Sequence, residues 1–245
     1  LNNKDNESFG GEASFYAAKC LILGIGCTQD EAQGIALLKK GTELYNDAQC
    51  ASALASIYSD EAHYNLPEAI KYLREADRLG NTNALGELGQ LYANNGELEK
   101  ATECYQEMIS RGNNEGYYYM GLALNSQGRD KECIKIFEEG AKKGSISCYA
   151  SLGLAYENGY SGVKQDLRKA LKYYTKSQTP YALYRQGIIL INNGLEKKKE
   201  DEIKQDESKG MDLIRQAADQ GHTEAIYTLG YCYETGSHLD SIDHF

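Results

Sequence analysis

One two-residue signature recurs along the whole chain and restricts its fold more than any composition does. A bulky apolar residue is followed by Gly or Ala, and Tyr or Leu stands three positions beyond the small residue. The pairs are Ala17-Ala18, Leu54-Ala55, Leu88-Gly89, Met120-Gly121, Leu152-Gly153, Gln186-Gly187 and Leu229-Gly230. Steps between their small members are 37, 34, 32, 32, 34 and 43 residues. From Ala55 to Gly230 the mean step is 35. A second pair follows each of the first six: Ile35-Ala36, Ala69-Ile70, Ala101-Thr102, Cys133-Ile134, Ala170-Leu171 and Met211-Asp212, each opening a stretch that closes near a Gly. Self-similarity at this period marks units that cannot bury their faces alone and must stack on neighbours, which is a solenoid.

Each copy carries two helical patterns. In 83–94, Ala84, Leu85, Leu88, Gly89, Leu91 and Tyr92 form one wide helical face, and Asn95-Gly96 ends it. Leu98, Ala101, Tyr105, Met108 and Ile109 form the next face, ending at Arg111-Gly112 with a base where the helix dipole favours one. Start signals agree elsewhere: Thr28-Gln29-Asp30-Glu31 reads as a capping box, Asp166 as an N-cap, and Pro67 falls in a first helical turn. A Gly or Ala after the bulky residue lets the two helices of a pair approach closely. Two prolines and 25 glycines in 245 residues suit many short helices closed by Gly, and leave little room for a loop-rich all-β fold.

These residues resemble the Sel1-like repeats, relatives of the tetratricopeptide repeats. The nearest match runs Ala150-Ser151-Leu152-Gly153-Leu154-Ala155-Tyr156-Glu157-Asn158-Gly159, then Gly162-Val163-Lys164-Gln165-Asp166 and Lys169-Ala170-Leu171-Lys172-Tyr173-Tyr174. Gln216 to Ala225 is similar to the family's inter-repeat junction. The resemblance implies an all-α, right-handed α/α superhelical solenoid of antiparallel helix pairs, about six complete repeats plus a seventh first helix. It covers 12–236, leaving 1–11 as a frayed N-terminus and 237–245 as a tail of a truncated chain. A charged insertion is expected at 195–208. The Trp often found in the family's second helix is replaced by Tyr72, Tyr105, Phe137 and Tyr173, and Gln186 predicts less regular packing in its repeat.

Chemistry is sparse. The seven cysteines show no Cys-x-x-Cys spacing and read as small buried hydrophobes; Cys20 and Cys27 share a helix face if that helix runs far enough. His238, Asp240, Asp243 and His244 could be drawn as metal ligands but fall on the tail, and His222 reads as a surface residue at a turn. Neither Gly24-Ile25-Gly26 nor Gly159-Tyr160-Ser161-Gly162 follows a strand, so no phosphate loop, cofactor or metal site is expected, and no catalysis. A net charge of −10 argues against nucleic acid, and it favours a neutral, apolar or basic peptide over an acidic one. No apolar run is long enough for membrane insertion. Cytoplasmic placement is expected, with the ER lumen as the alternative.

The resemblance implies that first helices line a concave face that binds a protein or peptide. Exposed there should be the residues two before, and two and five after, each bulky residue. Tyr118, Asn125, Tyr184, Ile188, Ile191, Tyr227 and Tyr231 follow from that rule; Tyr181 lies nearby, and Asn158 and Asn192 end first helices. The aromatics could equally be inter-repeat packing, and the Asn residues could equally be helix caps. The Lys and Arg that tetratricopeptide domains use to clamp a C-terminal carboxylate are absent from these positions. The function implied is a non-catalytic scaffold or adaptor. The alternative is a regulatory or substrate-recruiting domain of a larger enzyme or ubiquitin-ligase assembly.

Overall fold

The computed structural model describes residues 3–192 and 200–235, and among them every regular element is a helix. The chain forms two compact units, Leu1–Asn113 and Asn114–Phe245. The first holds α1 (Asn3–Leu23), α2 (Glu31–Tyr45), α3 (Ala48–Ser59), a 3-10 turn at Glu61–His63, α4 (Leu66–Arg78), α5 (Ala84–Asn94) and α6 (Leu98–Ser110). The second holds α7 (Glu115–Ser126), α8 (Asp130–Lys142), α9 (Ile146–Asn158), α10 (Leu167–Ser177), α11 (Pro180–Ile191), α12 (Glu200–Asp219) and α13 (Thr223–Thr235). Consecutive helices pair as α1/α2, α3/α4, α5/α6, α7/α8, α9/α10 and α11/α12, and α13 is the seventh first helix.

Helix starts are set by local side chains. Asp30, Asp47, Asn65, Ser145, Asp166 and Thr179 each accept a hydrogen bond from the backbone N–H three residues on, satisfying an orphan donor of the first turn. Asp166 is thus the N-cap read from sequence, and Pro67 sits in the first turn of α4. At α2 the expected capping box is displaced: Asp30, not Thr28, bonds the Gln33 N–H at 2.9 Å. The helix carrying Cys20 ends at Leu23, so Cys27 lies beyond it instead of on the same face. α1 starts within the stretch expected to fray, and α12 starts at Glu200, inside the expected insertion; 195–199 lies outside the described residues.

In three of the pairs the recurring small residue is where an aromatic ring of the second helix crosses the first. A Cβ on Gly153 would stand 2.5 Å from the Tyr174 ring, and Tyr105 and Phe137 close in the same way on Gly89 and Gly121. In the α9/α10 pair it is therefore Tyr174, not Tyr173, that takes the family's aromatic position. Leu54, Leu88 and Leu152, the bulky partners, have no solvent exposure. Gln186 is buried too, yet both ends of its amide are satisfied: Oε1 accepts from Thr175 Oγ1 at 2.9 Å, and Nε2 donates to the Ala182 carbonyl at 3.3 Å.

Neighbouring repeats are also tied by side chains about one period apart. Asn81 Nδ2 donates to Ser52 Oγ at 2.6 Å, and Asn113 Nδ2 to the Thr82 carbonyl at 3.2 Å. In the second unit Asn114 Nδ2 donates to the Lys143 carbonyl, Glu115 accepts from Ser145 Oγ and the Ile146 N–H, and Ser177 Oγ donates to the Ile146 carbonyl.

All seven cysteines are free thiols. Cys50, Cys133 and Cys148 are fully buried, and burial pushes their thiols up to about 12, 11 and 12 from an ordinary 9.0. Each stays protonated in the fold at a pH where the unfolded chain would ionise it. Their share of stability is therefore intact below about pH 9 and lost as pH rises above it. Alkylation at pH 8 should modify exposed Cys27 first and these three only on unfolding; mass mapping after a short iodoacetamide pulse checks the order, and early modification of Cys148 would contradict it.

Candidate functional site

In the second unit α7 lies against α9 and α9 against α11, so the first helices form one continuous face. Its floor is latched by a buried ion pair. Glu157, at the end of α9, is 5% exposed. Its carboxylate accepts from Tyr174 Oη on α10 at 2.6 Å, from Arg185 Nε on α11 at 3.2 Å, and from Arg185 Nη2. Burial opposes the guanidinium charge, but the Glu157 carboxylate outweighs it and holds Arg185 above its ordinary value. Burial first, and then Glu157, raise the Tyr174 phenol. One carboxylate thus fixes three helices relative to one another.

A cleft of about 350 Å³ opens between α7, α8, α9 and the α9–α10 loop. Leu122, Phe137, Leu154 and Tyr160 give it apolar walls, and Asn125, Ser151, Ser161 and the Asp130 carboxylate give it polar ones. Leu154 and Tyr160 are exposed, at 36% and 58%. Ser161, in the left-handed region at φ 54°, donates through Oγ to Asn125 Oδ1 at 3.1 Å and so aims that amide.

The residues expected to bind divide into surface and packing. Asn125, Asn158, Asn192 and Tyr227 are exposed. Asn158 Nδ2 bonds its own helix at the Leu154 carbonyl, 3.1 Å away, and Asn192 caps α11. Tyr118 is half-buried, stacked on Phe137 at 6.3 Å. Tyr184 stacks on His222 at 4.9 Å and puts its hydroxyl 3.4 Å from that of Thr228. Tyr181 meets Tyr174 edge-on at 6.2 Å, and Tyr231 is half-buried. His222 is therefore a packing residue between repeats, not the surface residue expected at its turn.

Ile188 and Ile191 correct the sequence expectation outright: they are 7% and 5% exposed and belong to a core cluster with Leu183, Ile214, Ala217 and Ala225. The position rule fails here because Gly187 and Gly210 let α11 and α12 meet backbone to backbone. A Cβ on Gly210 would stand 2.6 Å from Ile191 Cγ1, so Ile191 lies on α12. Sequence reasoning passed over Arg185, though a charged residue beside the anomalous Gln186 was the available signal.

The Sel1 repeat model matches residues 11–46, 146–177, 180–222 and 223–243. The chain belongs to the Sel1 repeat family. Of the three helix pairs between the first and second matches, α5/α6 and α7/α8 have tetratricopeptide-like spacing. Their helices are joined by short loops at 95–97 and 127–129, where the matched α9/α10 pair has 159–166. A Sel1 repeat protein from Oxalobacter formigenes superposes with a TM-score of 0.55 at 19% identity, covering 96% of this chain and 93% of that one. A protective antigen of uropathogenic Escherichia coli with an SLR fold gives 0.50 at 22% identity, over 93% and 50%. These likenesses establish the fold.

Among sequence relatives, the chitin synthase regulator SKT5 of Saccharomyces cerevisiae is 24% identical over 235 residues, 94% of this chain. Chitin synthase regulatory factor 4 of Schizosaccharomyces pombe is 23% identical over 189 residues, 69% of this chain. The Sel1 chain spans 30% of the length of each. Sel1 repeats are protein-interaction scaffolds, and no described helix is long and apolar enough to cross a membrane. Among the described residues no group of three or more His, Cys, Asp or Glu is placed to hold a metal ion; the His238, Asp240, Asp243 and His244 set lies outside them.

Proposed function

We propose that the Asn114–Phe245 unit is a non-catalytic scaffold that holds a segment of a protein partner on its first-helix face. The α7–α9 cleft carries this reading. It offers apolar walls for one or two side chains beside an amide and two hydroxyls that can pair with the donor and acceptor of a peptide backbone, and the Asp130 carboxylate adds an acceptor for a backbone N–H or a basic side chain. Tyr227, 59% exposed on α13, supplies an aromatic anchor farther along the same series of first helices. The Glu157 latch keeps that face preformed, so little ordering opposes binding. Tyr118, Tyr181 and Tyr184 serve it as packing, and Asn125 as a direct contact. The placement proposed is cytoplasmic.

A second reading makes the same face the docking point of a regulatory domain in a larger enzyme assembly. The regulator names of the two yeast relatives favour it, as does the fraction of those proteins this chain spans. The readings differ in what is captured, not in where.

Affinity capture with mass spectrometry tests both. The double variant Leu154→Arg/Tyr227→Ala places a charge in the cleft and removes the anchor, and both sites are exposed, so melting should be unchanged. The recovered partner should fall at least about tenfold. Undiminished recovery overturns the face. An enzyme catalytic subunit in the recovered set selects the second reading.

A further inference from the structure

The second unit has another groove of different chemistry on the side of its second helices. It measures about 660 Å³ and lies between α8, α9 and α10. Its walls carry Lys142, Lys169, Lys172 and Lys176 against a single carboxylate, Glu138. Three tyrosines form its floor: Tyr173 stacks on Tyr156 at 5.6 Å and meets Tyr149 at 6.4 Å. Two lysines stand over these rings, Lys169 above Tyr156 at 4.9 Å and Lys176 above Tyr149 at 5.4 Å. Among the described residues an ion pair reaches only Lys169, at 3.9 Å from Asp166.

This concentration of positive charge stands out in a chain of net charge −10. An approaching ligand responds to the charges within about 10 Å of it, the screening length near 0.1 M salt, more than to the net value. We propose that this groove docks an acidic peptide segment of a partner protein, separately from the first-helix face. Charge complementarity selects the sign. The arrangement selects the peptide: Lys169, Lys172 and Lys176 follow one stripe of α10, spread over about 10 Å of helix, with rings between them. A lone phosphate would want donors converging on one point, as an Arg fork supplies, and the lining has no Arg. A row of spaced ammonium groups over tyrosines suits carboxylates alternating with apolar side chains.

The test uses a labelled twelve-residue peptide of alternating Glu, Asp and Leu, measured by fluorescence anisotropy against the whole chain in 50 mM salt. Controls are the same peptide with Lys replacing its acids, inorganic phosphate as a competitor, and phosphatidylcholine vesicles with and without anionic lipid. The acidic peptide should bind and the basic one should not. Lys172→Glu/Lys176→Glu should weaken binding at least about tenfold, and Lys172→Gln/Lys176→Gln should weaken it less, with melting unchanged in both. The first-helix variant Leu154→Arg should bind the peptide like the unaltered chain. Equal binding by the charge-reversed chain overturns the proposal. So does displacement by millimolar phosphate alone, which would make this an ion site. Recruitment to anionic vesicles without peptide binding would make the groove a membrane contact instead.

Discussion

Replacing Arg185 with Leu should destabilise the second unit by about 3 kcal/mol, because it leaves the Glu157 carboxylate buried without its counter-charge. The Arg185 side chain keeps 29% of its exposure while that of Glu157 keeps 7%, so water softens the loss without rescuing the acid. Tyr174 Oη still donates to Glu157 at 2.6 Å, but one neutral donor does not replace a guanidinium bonded through two nitrogens. Arg185→Lys should fall between, since a point charge cannot reproduce the fork. The triple variant Glu157→Leu/Arg185→Leu/Tyr174→Phe should recover most of the loss, because it removes both charges together with the buried hydroxyl that donates to Glu157. Urea unfolding followed by circular dichroism checks the series. A loss under about 1 kcal/mol for Arg185→Leu would mean that the pair is no latch.

Gly153→Val is expected to do comparable damage by a different route. The new Cβ would stand 2.5 Å from Tyr174 Cδ1 and Cε1. That ring has no exposure, and its hydroxyl is held by Glu157, so it cannot swing away. Overpacking of this kind should destabilise by about 3 kcal/mol, against which the helix-propensity gain over Gly is under about 1 kcal/mol. Gly230 occupies the same position of the signature on α13 but, among the described residues, meets nothing within 4 Å. Gly230→Ala should therefore be neutral or stabilising by up to about 1 kcal/mol. Thermal melts of the two variants separate close helix contact from any general need for Gly; equal losses would contradict the packing account.

The same contrast explains how far the sequence could be read. Leu88-Gly89 and Tyr105 announce a close helix pair because a bulky residue, a small residue and a ring recur at fixed spacing, and local helical periodicity turns that spacing into geometry. Helix starts are legible where a side chain caps, as at Asp166, but at Thr28 the capping box fails because Asp30, two residues on, takes the cap. The face was harder. Leu154 and Asn125 are exposed, as the position rule expects, but Ile188 and Ile191 turn inward, Ile191 because α12 meets α11 through Gly210. That contact joins residues 19 and more apart in sequence and belongs to no single-helix pattern. The Glu157–Arg185 latch was hidden for a similar reason: its members lie 28 residues apart and pair only once the repeats stack. The lysine and tyrosine groove draws on α8, α9 and α10, so no net charge could reveal it.

Site-directed photo-crosslinking tests the central claim, that partners sit on the first-helix face of the Asn114–Phe245 unit. A benzoylphenylalanine replaces Leu154 in the α7–α9 cleft in one protein and exposed Lys135 on α8 in another. Irradiated with the partner recovered by affinity capture, the Leu154 probe should give the covalent adduct and the Lys135 probe should not. An adduct of equal yield from both, or from Lys135 alone, would contradict the account.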